Sequence, residues 1–489
     1  MANPPPKIRW AIFFAVALLA LAARLPLLGE RPMHTDEAVN AYITGKLLSG
    51  ESFHYDSKDR HGPALFILAE PIAKLLGARN FSELTEQKLR LSSVIAGTVT
   101  IFLFGAGVEI FGLVPCLIAA LLFAFAPLPV YYSRYFIHET MFVAATLGLI
   151  FSGWRALQKN SVWCAALAGF CAALMLACKE TAVIHFFALG IAATTSRFLR
   201  SRSNSAPVAS QYKMLLTAAM VFTCVTILSF TWCGQNWPAL TDLFRAVPSF
   251  AARAGGQGHE KPFWYYIGLL CNGWSGGIIL ALMTLGVFRA LHSMRRVFLV
   301  AYALPVAAIY SAIPYKTPWL ALNLFLPFAI FAGIALEWVW FATRNFFART
   351  TILAGVVALG FLVAHDTRQW VFKFPADEKN PYAYAHTGED LLRLPGRIEQ
   401  LSQQNNFSSP RIAVVAADPW PLPWYLRKYP QVGYWQPGQE TGPADFFITT
   451  TDISGKLAEQ LKNFRREYFG SRPNVVLELW SPAPAEKTP

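Results

Sequence analysis

The chain has 489 residues, 54% of them hydrophobic and 15% charged, with a formal charge of +13 at pH 7 and a mean hydropathy of +0.37. Soluble domains carry roughly 25% charged residues, so these figures exclude an ordinary water-soluble chain, along with collagen, disorder, coiled coil and a disulfide framework. The basic residues sit in short breaks between apolar runs, not on one polar face, which excludes a nucleic-acid surface.

Runs of roughly 20 apolar residues cross a bilayer, and the sequence predicts about eleven: 9–28, 91–112, 115–132, 138–153, 161–178, 181–197, 214–234, 263–288, 297–313, 318–341 and 351–365. Placing Lys7 and Arg9 in the cytoplasm and alternating puts Arg155 and Lys159; Arg197, Arg200, Arg202 and Lys213; Arg289, Arg295 and Arg296; and Arg344 and Arg349 in cytoplasmic loops. None of those loops contains Asp or Glu, the bias expected of cytoplasmic segments. The expectation is a multi-pass protein of the cytoplasmic (inner) membrane with a cytoplasmic N-terminus. A cleaved signal ending at Ala20-Leu21-Ala22 is the rival for the first span. Arg24 and the immediate return to apolar spans favour an uncleaved helix.

The predicted fold class is a polytopic α-helical membrane protein with a C-terminal extracytoplasmic α/β domain. Residues 1–365 form the transmembrane domain, which includes extracytoplasmic loops 31–89 and 235–262, and residues 366–489 form the tail. The tail holds 14 basic and 14 acidic residues, so the whole positive excess belongs to the apolar part. Its strand signals are Arg411–Ala416, Phe446–Thr450 and Val475–Trp480, with a helical pattern over Ile453–Phe464. In the first loop, Ala64–Leu76 reads as an amphipathic stretch on the membrane surface. The seven cysteines lie in or beside spans with no metal spacing. Cys164, Cys171 and Cys178 share a helix face and read as small packing residues. No Walker loop, strand-borne GxGxxG, HExxH or GxSxG is present, so ATP, NAD and metalloprotease chemistry lose their usual support.

Ionisable residues recur at the predicted outer edge. Asp36 and Glu37 follow the first span; the alternative to a functional role is a helix N-terminus capped by Thr35. Arg134 and Glu139 lie between the third and fourth spans, Lys179 and Glu180 between the fifth and sixth, and Lys316 between the ninth and tenth. His61 sits in the first loop. A solvated turn or a snorkelling cation explains any one of them alone. Together they point to a cavity where a carboxylate accepts a proton from a hydroxyl and cations hold a leaving phosphate. Such chemistry suits sugar transfer from a polyprenyl-phosphate carrier.

Asp36-Glu37, His61-Gly62-Pro63, Arg90, Tyr131–Glu139, Lys179-Glu180 and Tyr315-Lys316-Thr317-Pro318-Trp319, in this order, resemble the GT-C membrane glycosyltransferases. The likeness is to the protein O-mannosyltransferase and aminoarabinose-transferase group and covers about three quarters of the chain. Asp36-Glu37-Ala38-Val39, His61-Gly62-Pro63, Asn380–Tyr384 and Trp420–Leu426 are also similar to a prokaryotic subfamily labelled flippase-activity-associated. The GT-C resemblance implies an inverting single displacement onto a hydroxyl of a lipid, glycan or protein. It makes Asp36 the general base, with Glu37 orienting it or binding acceptor or metal. Glu139 matches a second acidic motif that bears on acceptor or metal binding. Arg90, Arg134, Lys179 and Lys316 become candidates for the carrier phosphate, with Lys316 and Arg134 foremost, and His61 for substrate binding or for structuring its loop. A divalent metal is possible in this superfamily and is left unassigned. Partners are then the polyprenyl-phosphate sugar donor, membrane lipids and the hydroxyl acceptor. The alternative is a non-catalytic flippase-associated or transporter component that binds lipid-linked sugars.

Overall fold

The computed structural model describes residues 4–57, 60–199, 208–256, 258–293 and 296–483; Arg200, Arg202 and Arg295 lie outside them. The chain divides into two compact units. The helical unit comprises Met1–Leu28, Glu51–Ile72 and Leu89–Lys373; the second comprises Gly29–Gly50, Ala73–Lys88 and Phe374–Pro489.

Among the described residues, eight helices are long and apolar enough to cross a membrane, and three shorter apolar ones lie among them. The protein is a multi-pass integral membrane protein. The helices in chain order are α1 (Pro6–Arg24), α2 (Thr35–Leu48), α3 (Ala64–Leu75), α4 (Glu86–Phe111), α5 (Leu113–Phe125), α6 (Pro127–Tyr132), α7 (Glu139–Lys159), α8 (Val162–Cys178), α9 (Ala182–Leu199) and α10 (Val208–Phe230). There follow α11 (Pro238–Arg253), α12 (Tyr265–Leu270), α13 (Gly273–Ala290), α14 (Val297–Ala312), α15 (Ala321–Ala342) and α16 (Phe346–Thr367).

Two predicted spans are interrupted. The run 115–132 stops at Phe125, and Pro127 starts α6, where a proline fits the first helical turn. The run 263–288 breaks at Asn272, whose side chain accepts from the Gly273 N–H as a helix cap. Gly273 has φ +80°, and a Cβ there would lie 2.6 Å from the Asp366 carboxylate. That carboxylate accepts from the backbone N–H and hydroxyl of Ser275 at 2.7 and 2.8 Å. It replaces the carbonyl partners that the start of α13 lacks.

One end of the helical unit is held by ion pairs. Glu109, near the end of α4, meets Arg9, Arg155 and Lys159 at 3.2, 3.1 and 3.0 Å. Glu337 on α15 meets Arg296, which also donates to the Phe111 carbonyl. Four of the predicted cytoplasmic cations, Arg9, Arg155, Lys159 and Arg296, are thus paired with acids placed inside spans, where a count of loop residues does not register them. At the opposite end, Arg24 donates to the Phe123 and Ala124 carbonyls at the end of α5. Those are the acceptors a helix C-terminus leaves unsatisfied.

The second unit contains α17 (Leu394–Gln404), α18 (Leu422–Tyr425), α19 (Ala458–Leu461) and a sheet of β1 (Ile412–Val415), β2 (Val432–Trp435), β3 (Phe446–Thr450), β4 (Phe464–Arg472) and β5 (Val475–Pro482). The strand order is β2-β1-β3-β5-β4. β1 runs parallel to β2 and β3, whereas β5 is antiparallel to β3 and β4. The all-apolar Ile412-Ala-Val-Val415 fits a central parallel strand covered on both faces. The predicted strands at 411–416, 446–450 and 475–480 are present. Over 453–464 a 3₁₀ turn and the short α19 replace one continuous helix.

Candidate active site

Antiparallel neighbours along the chain place the starts of α4 and α7 and the ends of α1, α8 and α14 at one end of the helical unit. Arg90, Arg134, Glu139, Lys179 and Lys316 all lie there, opposite the Glu109 cluster. Glu139 opens α7, where a carboxylate is favoured by the helix dipole. Its side chain is buried and ion-paired with Lys179, which caps the end of α8. Burial pushes the Lys179 ammonium down, and Glu139 beside it more than offsets this, so the ammonium sits above its ordinary range.

Next to that pair, Glu180 accepts from the Tyr55 hydroxyl at 2.8 Å and contacts His61 Nδ1 at 2.9 Å. Burial raises the Glu180 carboxyl, but His61, its backbone hydrogen bond and Tyr55 outweigh it and bring the group to about 2. The intervening Gly62 is pressed against the end of α8, since a Cβ there would lie 2.3 Å from the Ala177 carbonyl oxygen. The Gly62 carbonyl in turn contacts His138 Nε2 at 3.1 Å. Three separated stretches, His61-Gly62-Pro63, His138-Glu139 and Lys179-Glu180, therefore meet in one polar cluster. Tyr55 and His138 belong to it without having been singled out by sequence. His138 stood beside Glu139 in the quoted run, whereas Tyr55 carried no signal.

Lys316 is buried between α14 and α15 and donates to the carbonyls of Lys261 and Ile313. Arg134 donates to the Arg24, Pro26 and Leu27 carbonyls, and Arg90 to that of Leu28 at 2.9 Å. Both arginines thereby cap the end of α1 and the chain that leaves it.

Asp36 and Glu37 lie in the second unit, in the first turn of α2. His34, not Thr35, is the cap: its Nδ1 accepts from the Asp36 N–H at 3.1 Å, and the Glu37 carboxylate accepts from the His34 N–H at 3.2 Å. Glu37 is fully buried and bonded by Arg31 through both oxygens at 3.2 Å. The Asp36 side chain is 49% exposed, with His34 Nδ1 at 4.0 Å. The helix-start reading thus describes Glu37 fully, while the Asp36 carboxylate on the same turn is half exposed.

The tail stretches that resembled a family motif hold this turn. The Met33 N–H donates to the Tyr425 hydroxyl at 2.9 Å, and the Thr387 hydroxyl donates to the Met33 carbonyl at 2.6 Å. His34 Nε2 contacts the Tyr384 carbonyl at 3.0 Å, and its ring lies 5.7 Å from that of His386. Burial pushes the pKa of both imidazoles down, that of His386 the further. Among the described residues, no three His, Cys, Asp or Glu side chains are placed to hold a metal ion.

Residues 61–230 match the model of a family described as dolichyl-phosphate-mannose-protein mannosyltransferase. No curated protein matches the chain by sequence. ArnT from Cupriavidus metallidurans, bound to undecaprenyl phosphate, superposes with a TM-score of 0.68 at 14% identity, covering 96% of this chain and 97% of that one. The archaeal oligosaccharyltransferase AglB from Archaeoglobus fulgidus, in complex with an inhibitory peptide and a dolichol-phosphate, gives 0.57 at 11% identity over 95% and 74% of the two chains. The arabinofuranosyltransferase AftD from Mycobacteria gives 0.54 at 14% identity over 99% of this chain and 40% of that one. None of these three carries a flippase-associated label. By sequence, residues 61–230 resemble that mannosyltransferase family, and over nearly its whole length the chain shares the fold of these three solved structures.

Proposed function

We propose that this protein transfers a sugar from a polyprenyl-phosphate donor to a hydroxyl of a lipid, glycan or protein on the extracytoplasmic face of the cytoplasmic membrane. The acceptor oxygen attacks the anomeric carbon as its bond to the phosphate oxygen breaks. The acceptor proton passes to Asp36, the polyprenyl phosphate leaves with the electron pair, and the anomeric configuration inverts. Glu37, locked by Arg31 and the His34 N–H, fixes the turn that carries the base. Lys316 steadies the leaving phosphate: an ammonium has three N–H donors, and two backbone carbonyls hold it in place. On the helical unit, Lys179 and Glu139 are assigned to substrate binding, and the His61–Glu180–Tyr55 set shapes their polar cluster. Arg90 and Arg134 act by positioning the end of α1.

The observation that carries this reading is the meeting of the His61, Glu139 and Lys179-Glu180 stretches at one end of a GT-C bundle. The bound undecaprenyl phosphate of ArnT and dolichol-phosphate of AglB support a carrier of that chemistry. A general base contributes roughly 10²–10⁴-fold. Asp36→Asn, assayed in proteoliposomes with lipid-linked sugars, is expected to lose turnover on that scale while still binding donor. Full turnover in the variant would remove Asp36 from the role of base.

A further inference from the structure

The tail sheet contains a polar crevice, far from Asp36 in sequence. From β1 the chain passes to β2 on one flank and then crosses to β3 on the other, both parallel to β1. The carboxyl ends of β1 and β3 are therefore a topological switch point, where successive connections leave in opposite directions and open a crevice that binds ligands in parallel sheets. A cavity of about 240 Å³ lies there. It is lined by Asp418 and Trp420 after β1, Thr451 and Asp452 after β3, and Arg472 and Asn474 at the β4–β5 turn.

We infer that this crevice is a binding subsite for a neutral saccharide. The lining excludes the ligand more usual at such a point. Phosphate needs a run of free backbone N–H groups at a helix start, whereas the turn after β1 reads Ala416-Ala417-Asp418-Pro419-Trp420-Pro421 and has no glycine. Its charge also opposes an anion, because Asp418 already holds Arg472 at 2.7 Å and Asp452 adds a further carboxylate. What remains is carboxylate, carboxamide, hydroxyl and guanidinium, the groups that pair with adjacent sugar hydroxyls. The half-buried Trp420 indole supplies the apolar face that sugar C–H groups require. Tyr42 steadies it edge-on, with ring centroids 5.9 Å apart at 65°. The volume falls below the roughly 300–1,000 Å³ of larger ligand sites and suits a sugar ring better than a dinucleotide.

This assignment stands on the crevice alone and does not rest on the transfer reaction. The test is saturation-transfer NMR on the full chain in lipid nanodiscs, with mannotriose, cellotriose and chitotriose as probes and pyrophosphate and calcium chloride as competitors. At least one trisaccharide is expected to receive saturation at its ring C–H protons. Trp420→Phe should weaken binding modestly, and the exposed, isosteric Asp452→Asn roughly tenfold, a change of about one decade in Kd. Asp36→Asn should leave binding unchanged, which separates this site from the proposed base. Absence of binding by all three trisaccharides, indifference to both tail substitutions, or displacement by pyrophosphate or calcium would each overturn it.

Discussion

At Gly62 the helical unit has no room for a side chain. A methyl group there meets the Ala177 backbone 2.3 Å away, and backbone does not swing aside as a flexible side chain does. Gly62→Ala is expected to destabilise the protein by about 1–3 kcal/mol and to displace His61 from Glu180, seen as a lowered Tm and reduced activity in nanodiscs. Gly153→Ala, at a helical position with open space around it, should be neutral or slightly stabilising; equal losses at both sites would contradict the packing argument. His34 and His386 supply a different test. Both imidazoles are held below their ordinary 6.5 by burial, so the unfolded chain takes up protons first as the pH falls. Stability of the second unit is then full above about 6.5 and declines below it, by about 1.4 kcal/mol per pH unit for each histidine. Replacing His386 with Phe should flatten the slope of Tm against pH between 6.5 and 5. An unchanged slope would remove His386 from the account.

At the scale of elements, α7 and α8 are joined by charge as well as by apolar packing. The Glu139–Lys179 pair is buried, so removing one partner strands the other in a poorly solvated place, at a cost of about 3–5 kcal/mol. Lys179→Met should therefore be severe, and Glu139→Gln combined with Lys179→Met should recover part of the loss in thermal unfolding. Simple additivity of the two changes would mean that the groups do not depend on each other. Elements were legible where burial imposes a plain pattern. Ile412–Val415 and Phe446–Thr450 are apolar runs inside the sheet, and both were visible as strands. β4 was not, because its Phe464-Arg-Arg-Glu-Tyr stretch satisfies no simple alternation, and β2 was not, because the four-residue Val432-Gly-Tyr-Trp435 is too short to show one. The break at Asn272 escaped a hydropathy reading as well. Its cause is Asp366, more than ninety residues away.

On the scale of the whole molecule, the apolar spans follow from composition, and the three shorter helices were found despite their length because each is apolar throughout. The partition of the first loop was not legible. Residues 29–50 and 73–88 pack with the tail, while 51–72 pack with the helices, because tertiary bonds such as Met33 to Tyr425 and Trp424 to Glu86 decide the matter. The candidate residues were legible as ionisable residue types near span ends. Which carboxylate is buried and which is exposed was not, since Glu37 and Asp36 are neighbours in sequence and opposites in burial. The central claim is bond transfer from a lipid phosphate, and carrier release measures it most directly. The purified chain in proteoliposomes, given polyprenyl-phosphate sugars and a glycan acceptor, should release free polyprenyl phosphate in step with an anomerically inverted product. Intact carrier-linked sugar moving across the bilayer, with no carrier released, would contradict the account.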